Sequence, residues 1–175
     1  SLNALLKIIE EPLSNNYFIL INNKTRPLID TIFSRCLELK IILNNQKREE
    51  IIDALIKKNS LETKIKFNSY YLTPGNFLIF NKISTEYDIN VDDDFLKNLN
   101  LLLSIYKKNK DKNFINMIFF IANVHFYNLQ KDNINDLDII IEKKLFVLKN
   151  IDMFIKNNLN QNSLYNAISN KLINE

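Results

Sequence analysis

The sequence predicts a mainly α-helical chain with an α/β segment at its start, and three observations carry that prediction. One glycine and three prolines in 175 residues leave few tight turns and favour long helices. From Gln46 onward, apolar residues recur at helical spacing. Before that point, two short continuous apolar runs sit between helical patterns, as buried strands would. A barrel or sandwich of many short strands would need far more turn residues.

Leu2, Leu5, Leu6 and Ile9 stand at i, i+3, i+4 and i+7, which makes one apolar helical stripe, closed by Pro12. Tyr17 to Ile21 is a continuous apolar run between asparagine pairs and is expected as a strand. Pro27 suits the start of a short helix through about Ser34, and Leu37 to Ile42 reads as a second strand. Two strands do not make a stable sheet alone, so further strands are expected upstream of Ser1. Ser1 itself reads as a cut edge, because it opens directly inside a helical pattern with no initiator Met.

From Gln46, Ile51 and Leu55, joined by Ile52, outline a helix to about Lys58. Thr73-Pro74 opens another from Gly75 to about Ile83, and Asp92, Asp93 and Asp94 form a cap cluster before Phe95. Four helices follow, over roughly 93–108, 113–130, 135–158 and 161–173. Their expected apolar stripes are Leu99, Leu102, Leu103 and Tyr106; Phe114, Ile118, Ile121 and His125; Leu137, Ile141, Leu145 and Leu148; and Leu164, Ile168 and Leu172. Short polar links such as Asn109 to Asn113 separate them, as in a helical bundle.

Composition narrows the function classes. At 46% hydrophobic and 25% charged residues the chain can bury a core. A net charge of +3 is too mild to predict nucleic-acid binding by itself. The heavy use of Ile, Asn and Lys fits an AT-rich genome. A lone cysteine, Cys36, excludes an internal disulfide framework and fits a reducing, cytoplasmic setting. No apolar stretch reaches the roughly 18–20 residues that span a bilayer, and no signal peptide is visible.

Most candidate motifs have a plain reading. His125 lies on an apolar helix face and reads as a core histidine, with no Cys/His set of metal spacing nearby. Lys107, Lys108, Lys110 and Lys112 read as a solvated link between helices. Glu10-Glu11 reads as a solvated pair. Arg35, at the end of a short helix, reads locally as a partner for the helix dipole, and Cys36 as a small buried residue. With Gly75 the only glycine, no glycine-rich phosphate cradle exists.

Taken together, Asn3 to Lys7, Glu10-Glu11-Pro12, an apolar run, Thr31-Ile32 and Ser34-Arg35-Cys36 resemble, in order and spacing, the AAA+ clamp-loader family of bacterial DNA polymerase III. The resemblance is strongest over residues 1–43. It implies that 1–43 is the C-terminal part of an α/β AAA+ ATPase-like domain. It also implies a helical lid subdomain over 44–91 and an all-α collar for oligomerisation over 92–175. In this family the Ser-Arg-Cys arginine reaches ATP bound by a neighbouring subunit. Arg35 would then be an arginine finger acting in trans, with Ser34 and Cys36 positioning it. Asn22 or Asn23 would stand at the sensor-1 position. A permanently charged, planar guanidinium suits phosphoryl oxygens in a way that lysine does not.

Leu72 to Leu78 resembles the sensor-2 helix start of the delta-prime branch, with Gly75 where the tau/gamma branch carries an arginine. That implies a subunit that does not hydrolyse ATP, within a DNA polymerase III holoenzyme. It would hold no cofactor or metal in these residues, while ATP-Mg sits on the neighbour. The implied partners are the tau/gamma and delta subunits and, through the assembled complex, the sliding clamp and primed DNA; no membrane is implied. A zinc module, where the family has one, would lie upstream. The alternatives are the tau/gamma ATPase itself, which an intact P-loop upstream would mark, and a helical interaction module unrelated to ATP.

Overall fold

The computed structural model describes residues 7–9, 15–22, 29–66 and 72–173. The chain divides after Leu43 into two compact units, Ser1–Leu43 and Asn44–Glu175.

In the first unit, residues 7–9 are helical, and one short helix, α1 (Asp30–Phe33), buries Ile32. Most of the expected first helix, with Glu10, Glu11 and Pro12, and also Pro27, lies outside the described residues. The two apolar runs expected as strands form no strand. Tyr17 to Ile21 and Leu37 to Ile42 are irregular, and alternate residues in both face solvent, Ile19 and Ile41 each at 89%. The physical reason is that a strand exists only as part of a ladder. Its N–H and C=O groups need a partner strand, and apolar content supplies none.

The second unit is all helical among its described residues. Helix α2 (Asn45–Asn59) is capped by Asn44, whose side chain accepts from Lys47 N at 2.8 Å. Helix α3 (Pro74–Glu86) has Thr73 as its cap and Pro74 at its first position, where a missing N–H costs nothing. Helix α4 (Phe95–Asn109) is capped by Asp94, which accepts from Lys97 N at 2.7 Å; the aspartate cluster is thus a cap. Helices α5 (Lys112–Asp132), α6 (Leu137–Asn157) and α7 (Gln161–Ile173) complete the order, with a 3-10 turn at Ile134–Asp136.

Helix α4 packs on α5, α5 on α6, and α6 on α7, and α7 returns to α4; α3 joins through α5 and α2 through α3. Leu99, Leu102, Leu103, Phe114, Ile118, Ile121, Leu164 and Ile168 lie in the core as their spacing predicts. Phe80 stacks on Phe120 with ring centres 5.1 Å apart. With so few glycines, Ser60, Lys110 and Asn158 take the left-handed conformation that ends α2, α4 and α6.

Two faces differ from expectation. On α2 the buried residue is Ile52, with Ile51 and Leu55 only half covered. On α6 the core face is Ile140, Val147, Ile151 and Phe154, whereas Leu137, Ile141 and Leu145 face solvent and Leu148 is half-buried. Helix α6 is apolar on more than one side, so periodicity marks a helix without choosing which stripe meets α5 and α7.

Candidate functional site

The Ser-Arg-Cys segment follows directly from the brevity of α1. A four-residue helix has its last carbonyls unmatched by any later turn, so nearby donors must serve them. Ser34 N donates to Asp30 O at 3.0 Å and Arg35 N to Ile32 O at 3.1 Å. Side chains take the carbonyl between these two. Ser34 Oγ donates to Thr31 O at 3.1 Å, and Arg35 Nη1 donates to the same oxygen at 2.9 Å and to Ser34 Oγ at 3.3 Å. Thr31, Ser34 and Arg35 thus form a closed triangle at the exposed C-terminal end of α1, and the guanidinium meets the negative end of the helix as expected. Cys36 is a free, exposed thiol; the expectation that it is buried fails, because the adjoining strand that would cover it does not form.

Asn22 is exposed, and Asn23 lies outside the described residues. Gly75 belongs to the second unit, at the second position of α3. Thr73 Oγ1 accepts from Asn76 N at 3.2 Å across it, and a Cβ built on Gly75 would meet nothing within 4 Å. Its φ is not positive either. The backbone therefore places no demand for glycine there.

Two residues that hold this end of α3 carried no sequence signal. Arg48, buried on α2, donates from Nη1 to Leu72 O at 3.1 Å. Asn81, buried on α3, accepts from Lys64 N at 2.9 Å and Ile65 N at 3.4 Å, and donates to Glu62 O at 2.7 Å. It pins the segment after α2 against α3. Lys64 also pairs with Asp88, which holds the Asp88 carboxyl below its usual range. An arginine or asparagine inside a polar-looking stretch gives no warning that its side chain points inward.

A groove of about 510 Å³ in the second unit includes Asp94, Phe95, His125, Leu129, Ile139 and Leu172 in its lining. His125 stacks on Phe95 with ring centres 4.9 Å apart, in keeping with a core histidine. Burial pushes its imidazole below the ordinary 6.5, and Asp94 partly opposes that. Lys107, Lys108, Lys110 and Lys112 are exposed, and Lys110 Nζ sits 5.3 Å over the Tyr106 ring. Among the described residues, no group of three or more His, Cys, Asp or Glu side chains could hold a metal ion. No helix among them is long and apolar enough to cross a membrane.

Comparison with known proteins adds to this geometry. The family model described as DNA polymerase III, delta subunit, matches residues 1–45, the stretch that holds the arginine triangle. DNA polymerase III subunit delta' of Buchnera aphidicola subsp. Baizongia pistaciae (strain Bp) is 31% identical over 124 residues, 70% of this chain and 34% of that protein. An alignment of that length cannot be confined to the first unit and must include helices of the second. Yellow mounds protein A of Dictyostelium discoideum is 34% identical over 92 residues, 44% of this chain and 10% of that protein. The chain thus spans about a third of the first relative and a tenth of the second. No solved structure matches. The family match and the delta' relative agree with each other and with the Ser34-Arg35-Cys36 resemblance, and together they support a clamp-loader-related family of DNA polymerase III subunits.

Proposed function

We propose that this chain works as part of a non-hydrolysing, delta-prime-type subunit of the DNA polymerase III clamp loader. Its residues 1–43 would belong to an AAA+ domain, 44–91 to a lid and 92–175 to a collar. In the assembled complex Arg35 would reach ATP-Mg held by a neighbouring tau/gamma subunit and stabilise the charge that develops on the transferred phosphoryl group. Hydrolysis there would drive loading of the sliding clamp on primed DNA, in the cytoplasm. The observation that carries the reading is an exposed arginine within residues 1–45, the stretch matched by the delta-subunit family model.

Further support comes from the rest of the chain. Gly75 stands where the tau/gamma branch has its nucleotide-sensing arginine, at a position whose backbone would accept a larger residue. A subunit lacking that cation would bind and turn over its own ATP poorly. Helix α6 keeps Leu137, Ile141 and Leu145 towards solvent, a row that a neighbour's collar helix could cover.

The test is Arg35→Ala in the full-length subunit, assembled with its ATPase partners. DNA-stimulated hydrolysis should fall by roughly a hundred-fold or more at the adjoining site, as loss of an arginine finger does elsewhere, with assembly intact. Undiminished hydrolysis would sink the assignment.

A further inference from the structure

We infer that Ser34 is the positioning residue of the arginine finger, and that it acts by anchoring one corner of the guanidinium to the Thr31 carbonyl. The inference rests on the reading of Arg35 given above and adds a mechanism to it. A serine hydroxyl can donate one hydrogen bond and accept others at the same time. Ser34 uses both capacities, donating to Thr31 O at 3.1 Å and accepting from Arg35 Nη1 at 3.3 Å. The guanidinium closes the triangle through its own 2.9 Å bond to Thr31 O.

The division of labour within the guanidinium follows from its chemistry. Nη1 carries two hydrogens, and Thr31 O and Ser34 Oγ take them both. Contact with a phosphoryl oxygen would then fall to the Nη2 and Nε side of the fork. Without an anchor, a long exposed arginine samples many rotamers, and few would aim that edge at a neighbour's nucleotide. The anchor also depends on α1 being short. A further helical turn would give Thr31 O a backbone donor, and the oxygen would no longer be offered to the side chains. The hydroxyl thus links the end of the helix to the direction of the arginine.

The test is a double-mutant cycle in the full-length subunit, assembled with its ATPase partners. Ser34→Ala should lower kcat of DNA-stimulated hydrolysis about ten-fold, since loosened aim costs rate, and leave KM for ATP unchanged, since Ser34 touches no nucleotide. Ser34→Thr, which keeps the hydroxyl, should restore most of the rate. Ser34→Ala added to Arg35→Ala should cost nothing further, because the serine acts through the arginine. A wild-type rate for Ser34→Ala beside a disabled Arg35→Ala would overturn the inference and leave the arginine finger standing. Additive losses in the double variant, or no recovery with Thr, would also overturn it. If Arg35→Ala itself keeps full activity, the functional reading falls, and the inference with it.

Discussion

Replacing Asn81 with Ala tests the polar contact on which the second unit most depends. Asn81 is 3% exposed and makes three hydrogen bonds, of which the 3.4 Å bond from Ile65 N is weak. The bonds to Lys64 N at 2.9 Å and Glu62 O at 2.7 Å are well formed. Each is worth about 0.5–1.5 kcal/mol net, and truncation adds part of the penalty for groups left poorly served. Asn81→Ala should therefore cost about 2–3 kcal/mol, or roughly 5–10 °C in Tm for a unit of this size. Urea unfolding followed by far-ultraviolet circular dichroism measures the energy. Hydrogen exchange locates it, because the Lys64 and Ile65 amides should lose protection before the amides of α4 and α5. Asn81→Asp sharpens the reasoning, since it keeps the acceptor but sets a carboxylate oxygen against Glu62 O. It should destabilise at neutral pH and recover in part on acidification, as protonation restores a donor. A change below about 0.5 kcal/mol for Asn81→Ala, the level of an ordinary surface substitution, with unaltered exchange at 64 and 65, would refute the role.

Gly75→Ala should stabilise the chain by about 0.5–1 kcal/mol, since the new methyl meets open space and glycine is costly in a helix; a lowered urea midpoint would contradict this. His125 predicts a pH slope. Its folded pKa is depressed by burial, so below the ordinary 6.5 the unfolded chain takes up a proton that the folded chain resists, and stability falls with pH through that range. His125→Phe, which keeps a ring against Phe95, should flatten the slope between about pH 7.5 and 5.5 relative to the parent, and equal slopes in both chains would show that the imidazole is not the source.

The helices after Gln46 were legible because local rules decided them. Asn44, Thr73 and Asp94 each cap a helix within a residue or two of where sequence pattern starts one. The core of α4, α5 and α7 was legible too, since each shows one dominant apolar face. Helix α6 was not, because a helix apolar on several sides takes its inner face from its neighbours. The runs Tyr17 to Ile21 and Leu37 to Ile42 failed for a related reason. Apolar residues at every position describe a strand covered on both faces, but the hydrogen bonds that make it a strand belong to other strands. Arg48 and Asn81 were illegible because their roles depend on segments more than fifteen residues away. The arginine triangle was half legible. Its residues were found together, while the sharing of Thr31 O became visible only once α1 proved to be a single turn.

The placement of that triangle also makes its functional test a clean one. Thr31, Ser34 and Arg35 are exposed, and α1 buries only Ile32. The apolar core of the second unit is formed entirely by residues from Ile52 onward. Substitutions at exposed sites away from core packing change stability by about 0.5 kcal/mol or less, too little to depopulate a folded unit. Arg35→Ala and Ser34→Ala should therefore leave the urea midpoint and helix content of the second unit at parental values. A loss of trans-stimulated hydrolysis in such variants would then report on the guanidinium and its anchor. The contrast with Asn81→Ala supplies the internal standard. That variant should lose stability first and activity only in proportion to the unfolded fraction, whereas the arginine variants should lose activity at unchanged stability. A shared fall in both properties for Arg35→Ala would mean that the triangle works as a structural clasp at the end of α1.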